Sequence, residues 1–169
     1  MELTRDILNS SEEIIRSVIN GELTESEIAK IKRLIEKSSN EEELNNKLER
    51  YKKQIEQILL TASNTLEMKL NEEQERKIRA IVAKPTNKEK VLNEFYYVTD
   101  ELKEQNKEKI ARRNYWYERI ERRLVSRRLT KEEKGYIIKV LETTPSEERV
   151  EIELSSYADY LVDKDIQKS

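Results

Sequence analysis

One pattern of helix starts occurs three times along the chain, and it constrains the fold more than any other feature. In each occurrence a leucine precedes a residue that can cap a helix, and a glutamate or glutamine follows three positions after that cap. This spacing forms a capping box, in which the two side chains satisfy backbone amides at the start of a helix. The three pairs are Thr24 and Glu27, Asn71 and Gln74, and Thr130 and Glu133. Each pair predicts the first residue of a helix.

Matching apolar positions follow each capping box for about thirty residues. An isoleucine comes eight residues after the leucine in all three segments, at Ile31, Ile78 and Ile137. Two aliphatic residues follow at helical spacing, then a short break, then a second apolar stripe. The sequence therefore predicts three helix-turn-helix repeats at 23–56, 70–103 and 129–162. Each repeat is a short helix followed by a longer one.

Residues that form turns are too rare for a β-rich fold. The 169 residues include only two glycines and two prolines, whereas a sheet protein needs frequent turns, in which these residues are favoured. Good helix formers dominate instead. We therefore predict an all-α fold, a helical bundle of about six to seven helices that forms a single domain over 1–169.

Further helices are predicted before and between the repeats. A lead-in helix is expected at 4–19, and the second helix of each repeat also serves as a long connecting helix. The stretch 88–128 contains neither glycine nor proline, and a continuous helix of that length would span about 60 Å. We expect it either to protrude as a partly solvated arm or to bend near 105–107. The bend is favoured because 104–108 offers no apolar residue to bury.

The segment 107–128 concentrates positive charge in an otherwise acidic chain. It has nine lysines and arginines against three glutamates, although the whole chain has a net charge of −2. The only tryptophan lies there between two tyrosines. On a helical wheel, Ile110, Tyr117, Ile120 and Leu124 share one face, while the arginines and the other two aromatic residues lie off it. The pattern predicts a basic helix with aromatic residues at its edge.

Such a helix is typical of contact with a polyanion, and nucleic acid is the first candidate. Contacts from one helical face to phosphates are electrostatic and largely independent of base sequence. Charge runs on helices are also common as solvated faces, paired here with glutamates from the acidic flanks. The candidate contact residues are Arg112, Arg113, Tyr115, Trp116, Arg119, Arg122, Arg123 and Arg127.

Two classes of function stay open at this point. The first hypothesis is a non-enzymatic interaction protein that contacts DNA, RNA or a nucleoprotein assembly through the basic helix. The alternative is a helical adaptor or scaffold, or a structural subunit of an assembly. In that case the basic face docks onto an acidic partner protein or onto the chain's own glutamate-rich repeats. The long helices would then support homo- or hetero-oligomers.

Catalysis is not indicated by the sequence. Cysteine and histidine are absent, which removes the commonest general base and the commonest metal ligands. There is no glycine-rich phosphate loop. We therefore predict no enzymatic activity, no cofactor and no metal.

The sequence also indicates where the protein resides. No run of eighteen apolar residues occurs, and the first residues lack the apolar core of a signal peptide. The absence of cysteine fits a reducing compartment. We expect no membrane association and a cytoplasmic location.

Overall fold

A computed structural model describes residues 1–85 and 87–168, and this part of the chain is all-α with no strand. The helices are α1 (Arg5–Arg16), α2 (Glu25–Glu36), α3 (Glu41–Leu66), α4 (Glu72–Ala83), α5 (Lys88–Gln105), α6 (Lys107–Glu121), α7 (Lys131–Thr143) and α8 (Glu147–Lys168). The all-α class predicted from the sequence is confirmed. The organisation as three repeats stays a prediction.

The chain divides into two compact units, each with its own apolar core. Unit 1 is Met1–Gln105 and contains α1 to α5, and unit 2 is Asn106–Ser169 and contains α6 to α8. The expectation of one domain over 1–169 stays a prediction.

The stretch 88–128 contains two helices, since α5 ends at Gln105 and α6 begins at Lys107. Between them Asn106 has φ −108° and ψ 17°, which lies outside helical geometry. The break at Asn106 lies where the sequence lacks apolar residues. Because of this break, the described residues form eight helices instead of the predicted six or seven.

The long helix α3 is the centre of unit 1. It contacts α1, α2, α4 and α5. Its buried residues repeat at intervals of three and four, as the sequence pattern predicted: Leu44, Leu48, Tyr51, Ile55, Ile58, Ala62 and Leu66. Burial of each large side chain stabilises the fold by roughly 1.5–3 kcal/mol. The stripe supplies seven of the fifteen buried residues in the described core of unit 1.

All three predicted capping boxes form. In each, the cap side chain accepts a hydrogen bond from the amide three residues later, and the partner side chain accepts one from the cap amide. Losing such a cap typically costs about 1 kcal/mol. Residues close in sequence make these contacts, which explains why the sequence alone located them.

The lead-in helix α1 ends at Arg16, three residues before the predicted end at 19. The chain then turns toward α4, where the Glu75 carboxylate accepts hydrogen bonds from the amide nitrogen and the side-chain Nδ2 of Asn20 at 3.0 and 3.1 Å. Gly21 follows with φ +81°, a left-handed conformation that favours glycine. The Asn20–Glu75 contact and the turn at Gly21 direct the chain away from the α1 axis over the residues predicted to be helical.

A fully buried ion pair joins α2 to α4 inside unit 1. The Arg79 Nη1 atom lies 3.6 Å from Glu27 Oε2, and neither side chain is exposed to solvent. The other Glu27 oxygen accepts hydrogen bonds from the amide and hydroxyl of Thr24, at 3.0 and 3.1 Å. Burial, followed by the nearby Glu27 charge, raises the pKa of the Tyr51 hydroxyl. The capping glutamate of α2 therefore also fixes the position of α4.

Unit 2 packs α6, α7 and α8 around a second core. The buried side chains come from all three helices and from the loop between α6 and α7. They are Trp116, Tyr117, Ile120, Leu124, Leu129, Ile137, Val140, Val150, Leu154, Ala158 and Leu161.

The variant Arg79→Met leaves the Glu27 carboxylate buried without a cation, so we expect it to lower the free energy of unfolding by about 3–5 kcal/mol. Adding Glu27→Gln removes the uncompensated charge and keeps an oxygen for the Thr24 amide, so part of the loss should return. Urea denaturation followed by circular dichroism measures both effects. A loss below about 1 kcal/mol for the single variant would contradict a buried pair.

The variant Leu124→Asp places a charge in the core of unit 2, and we expect it to lower the stability of that unit by more than about 3 kcal/mol. Leu124 is 7% exposed, whereas its neighbour Val125 is 87% exposed, so Val125→Asp is the matched control. Trp116 is the only tryptophan and lies in the same core, so its fluorescence in urea reports on unit 2. Equal stability of the two variants would mean that Leu124 does not face the core.

Candidate nucleic-acid interface

The basic segment 107–128 is not one helix. The helix α6 ends at Glu121, and Arg122, Arg123 and Arg127 lie in the turn and loop before α7. The prediction of a helix to residue 128 is therefore wrong. The arginines do not form one straight helical face.

Tertiary packing explains the early end of α6. Leu124 and Leu129 are both buried in the core of unit 2, so the chain must turn between them to reach α7. The Glu121 carboxylate accepts a hydrogen bond from the Leu129 amide at 3.0 Å and closes this loop. Ser126 has a left-handed φ of +62° within it. No glycine or proline marks the turn, so local sequence patterns did not reveal it.

Four of the candidate arginines form ion pairs with carboxylates of unit 2. The pairs are Arg112 with Glu147, Arg119 with Glu151, Arg123 with Asp159, and Arg127 with both Asp165 and Glu133. In the second pair, Arg119 Nη1 donates to Glu151 Oε2 at 2.8 Å, and this hydrogen bond raises the pKa of the arginine. Arginines later in the sequence pair with carboxylates further along α8. The helices α6 and α8 therefore run in the same direction.

Arg127 is the most extensively bonded of these residues. Its Nη1 and Nη2 atoms donate to the two Glu133 oxygens at 2.7 and 2.9 Å. Its Nε and Nη2 atoms donate to Asp165 at 2.8 and 3.1 Å. Hydrogen bonds from Arg127 lower the pKa of Glu133 to about 2, and those to Glu133 and Asp165 raise the pKa of Arg127. The capping glutamate of α7 is thus linked through Arg127 to α8.

The paired arginines and their carboxylate partners together have a net charge close to zero. Four arginines face five carboxylates, and the arginine side chains are 30% to 44% exposed. Exposed pairs of this kind are worth about 0–1 kcal/mol each. They stabilise unit 2 only modestly, but their carboxylates cancel the local positive field.

Two other candidate residues are buried instead of presented to solvent. Trp116 is 4% exposed, so the wheel that placed it off the apolar face is wrong for this residue. Arg113 is also buried, with its guanidinium carbon 5.8 Å from the centre of the Tyr117 ring. Both α7 and α8 pack against α6, and two neighbours bury a wider sector of a helix than one does.

Tyr115 and Arg122 are the predicted contact residues that are exposed and free of a carboxylate partner in the described part of the chain. The Tyr115 hydroxyl accepts a hydrogen bond from Arg119 at 3.4 Å, and its ring meets Trp116 edge-on at 5.6 Å. Arg128, which the sequence did not single out, is also exposed. The role of all the candidate residues in binding stays a prediction.

A second candidate surface lies in unit 1 and was not predicted. An apolar groove with a volume of about 660 Å³ runs between α3 and α5, along Gln54 to Thr65 on one side and Lys88 to Tyr96 on the other. Leu92 and Tyr96 are 51% and 56% exposed there. Their spacing of four residues on one helix is a signal that sequence reasoning missed.

Two further properties of the described residues concern metals and membranes. No group of three or more acidic side chains is placed to hold a metal ion in 1–85 or 87–168. Within the same ranges, no helix combines the length and the apolar character needed to cross a bilayer.

The low pKa of Glu133 predicts acid sensitivity of unit 2. A carboxylate whose pKa falls from 4.5 to about 2 on folding stabilises the fold fully above about pH 4.5 and loses that contribution as the pH falls toward 2. In urea unfolding followed by Trp116 fluorescence, the parent should therefore exceed Glu133→Gln in stability at about pH 6, and this advantage should shrink by about pH 3. The exposed neighbour variant Glu132→Gln is the control. An advantage that does not change with pH would contradict the pairing.

Comparison with known proteins finds no match for this chain, whether with protein-family models, with curated proteins or with solved structures. The function is therefore inferred from the contacts and charges of the chain itself.

Proposed function

We propose that this protein is a non-enzymatic helical adaptor that binds segments of partner proteins in the cytoplasm. The observation that carries this proposal is the internal pairing of the basic segment. Four of the six candidate arginines lie opposite carboxylates of α7 and α8 and act as contacts within unit 2. The sequence alternative, in which the basic face docks onto the chain's own glutamate-rich region, fits this arrangement.

The charge balance argues against strong binding of a polyanion by the paired arginines. Four phosphate contacts would give a salt slope of about −3 to −4 for an unopposed basic face. Five carboxylates form ion pairs with these four arginines. The carboxylates would repel a phosphate that the arginines attract. The electrostatic gain would also require separating pairs that already exist.

Apolar surface in unit 1 supports protein binding. Leu92, Tyr96 and Tyr97 are exposed on α5, and the first two line the groove against α3. Exposed apolar side chains that line a groove mark interaction sites, and tyrosine is enriched among the residues that dominate binding energy. A protein that binds other proteins needs an apolar surface of this kind, whereas a protein that binds phosphates does not.

Nucleic-acid contact is the second candidate function, and one observation favours it. Arg122 and Arg128 are exposed in the α6–α7 region without ion pairs in the described ranges, and Tyr115 is exposed on the preceding helix. Arginine and tyrosine together can hold a phosphate and stack on a base.

Fluorescence anisotropy with labelled single-stranded and duplex oligonucleotides separates the two functions. At about 0.15 M salt we expect the parent to bind more weakly than about 100 µM. The informative variant is Arg122→Glu/Arg128→Glu, because reversing Arg119 or Arg123 would place like charges opposite Glu151 or Asp159. Micromolar binding that this variant loses, with its circular dichroism unchanged, would replace the adaptor with a nucleic-acid-binding protein.

The positive test is selection from a displayed library of peptides against the full chain. An adaptor should enrich related peptides that bind with Kd values of roughly 1–100 µM, the range expected for transient contacts. Failure to enrich any peptide family would contradict the proposed function.

A further inference from the structure

The groove between α3 and α5 lies wholly in unit 1 and has an apolar floor. Phe95 and Ile58 are nearly buried at its base, while Leu92 and Tyr96 are about half exposed at its edge. A ligand that covers these side chains would gain about 25 cal/mol of binding free energy for each Å² of apolar area removed from water.

Two of the polar residues on the α3 side, Thr61 and Thr65, are already hydrogen-bonded within their own helix. Thr61 and Thr65 line the groove, and their hydroxyls donate to the carbonyl oxygens of Gln57 and Thr61, each at 2.8 Å. Removing a hydroxyl from water costs little free energy when the hydroxyl keeps a hydrogen bond within the protein. An unpaired hydroxyl costs about 1–3 kcal/mol when a ligand buries it. The two threonines of this side therefore tolerate loss of water.

The charges around the groove have one sign. Lys30, Lys84 and Lys88 line it, and no aspartate or glutamate occurs among its described lining residues. This stands out in a chain with more acidic than basic residues. Lys30 donates to the Val82 carbonyl oxygen at 2.6 Å and also lies 4.4 Å from the centre of the Tyr51 ring, so its charge is fixed in position.

We propose that this groove binds an acidic amphipathic helix of a partner protein, a proposal that rests on the adaptor function and names its ligand class. The rims are two helices whose lining positions recur at three- and four-residue intervals, and such a cleft accepts a third helix through apolar residues at i, i+3, i+4 and i+7. The α3 rim from Gln54 to Thr65 is about 16 Å long, or three helical turns. Carboxylates flanking the apolar face of the ligand would meet the lysines.

Two fluorescein-labelled helical peptides are the probes. Both carry leucines at i, i+3, i+4 and i+7. One has glutamates beside the leucine face, and the other has lysines at the same places. Anisotropy titrations against the full chain should show at least about tenfold tighter binding of the acidic peptide, with the difference decreasing as salt is added.

Matched substitutions locate the binding. Leu92→Ala/Tyr96→Ala should weaken binding of the acidic peptide at least about tenfold. The control is Tyr97→Ala, an adjacent residue that is 73% exposed and does not line the groove. Lys84→Glu/Lys88→Glu should weaken binding by a similar factor, with Lys90→Glu as its control. Both controls should stay within about twofold of the parent.

Four outcomes would overturn the proposal. Equal binding of the two peptides removes the charge argument. Equal effects of Leu92→Ala/Tyr96→Ala and of Tyr97→Ala, or no saturable binding of the acidic peptide, would mean that the groove is not the binding site. Light scattering that shows self-association lost in Leu92→Ala/Tyr96→Ala would assign the groove to a second copy of the chain. The adaptor function is judged separately, because library peptides that bind the chain equally well after the groove substitutions would uphold it while this inference fails.

Discussion

Burial of the apolar stripes on the helices is the constraint on which both units depend. In unit 1 the stripe of α3 gathers α1, α2, α4 and α5, and in unit 2 the apolar sides of α6, α7 and α8 meet. The chain has only two glycines, two prolines and no cysteine, so disulfides do not fix its shape. Each large buried side chain contributes roughly 1.5–3 kcal/mol, which exceeds any one of the exposed ion pairs. The charged residues act within a frame that apolar packing has set.

The ion pairs fall into two classes with different consequences. Glu27 and Arg79 are fully buried and join α2 to α4, so losing one partner leaves a charge without water or counterion. The arginines of α6 and its following loop pair with α8 at the surface, where solvent reduces each contribution to about 0–1 kcal/mol. The first class links two helices inside the core of unit 1. The second adds modest stability and neutralises a segment that looks strongly basic in the sequence.

Charge density along the chain and charge density in space therefore lead to different functional conclusions. The segment 107–128 is the most basic part of the sequence, yet most of its exposed arginines lie opposite carboxylates. The groove of unit 1 has only three lysines, but no carboxylate among its described lining residues offsets them. An apolar cleft with an uncompensated positive rim suits an acidic helical ligand better than the paired arginines suit a phosphate backbone. This contrast favours the adaptor over the nucleic-acid-binding protein.

The all-α class, the three capping boxes and the buried stripe of α3 could be predicted from the sequence, because they depend on residues within a few positions of one another. The break at Asn106 was also foreseeable, since no apolar residue lies between 104 and 108. The end of α6 at Glu121, the burial of Trp116 and the pairing of Arg119 with Glu151 could not be predicted in this way. These features depend on contacts with α7 and α8, which a helical wheel of one segment does not contain. The groove likewise depends on elements distant in sequence, and its single sign of charge exists only where Lys30 of α2, Lys84 after α4 and Lys88 of α5 come together.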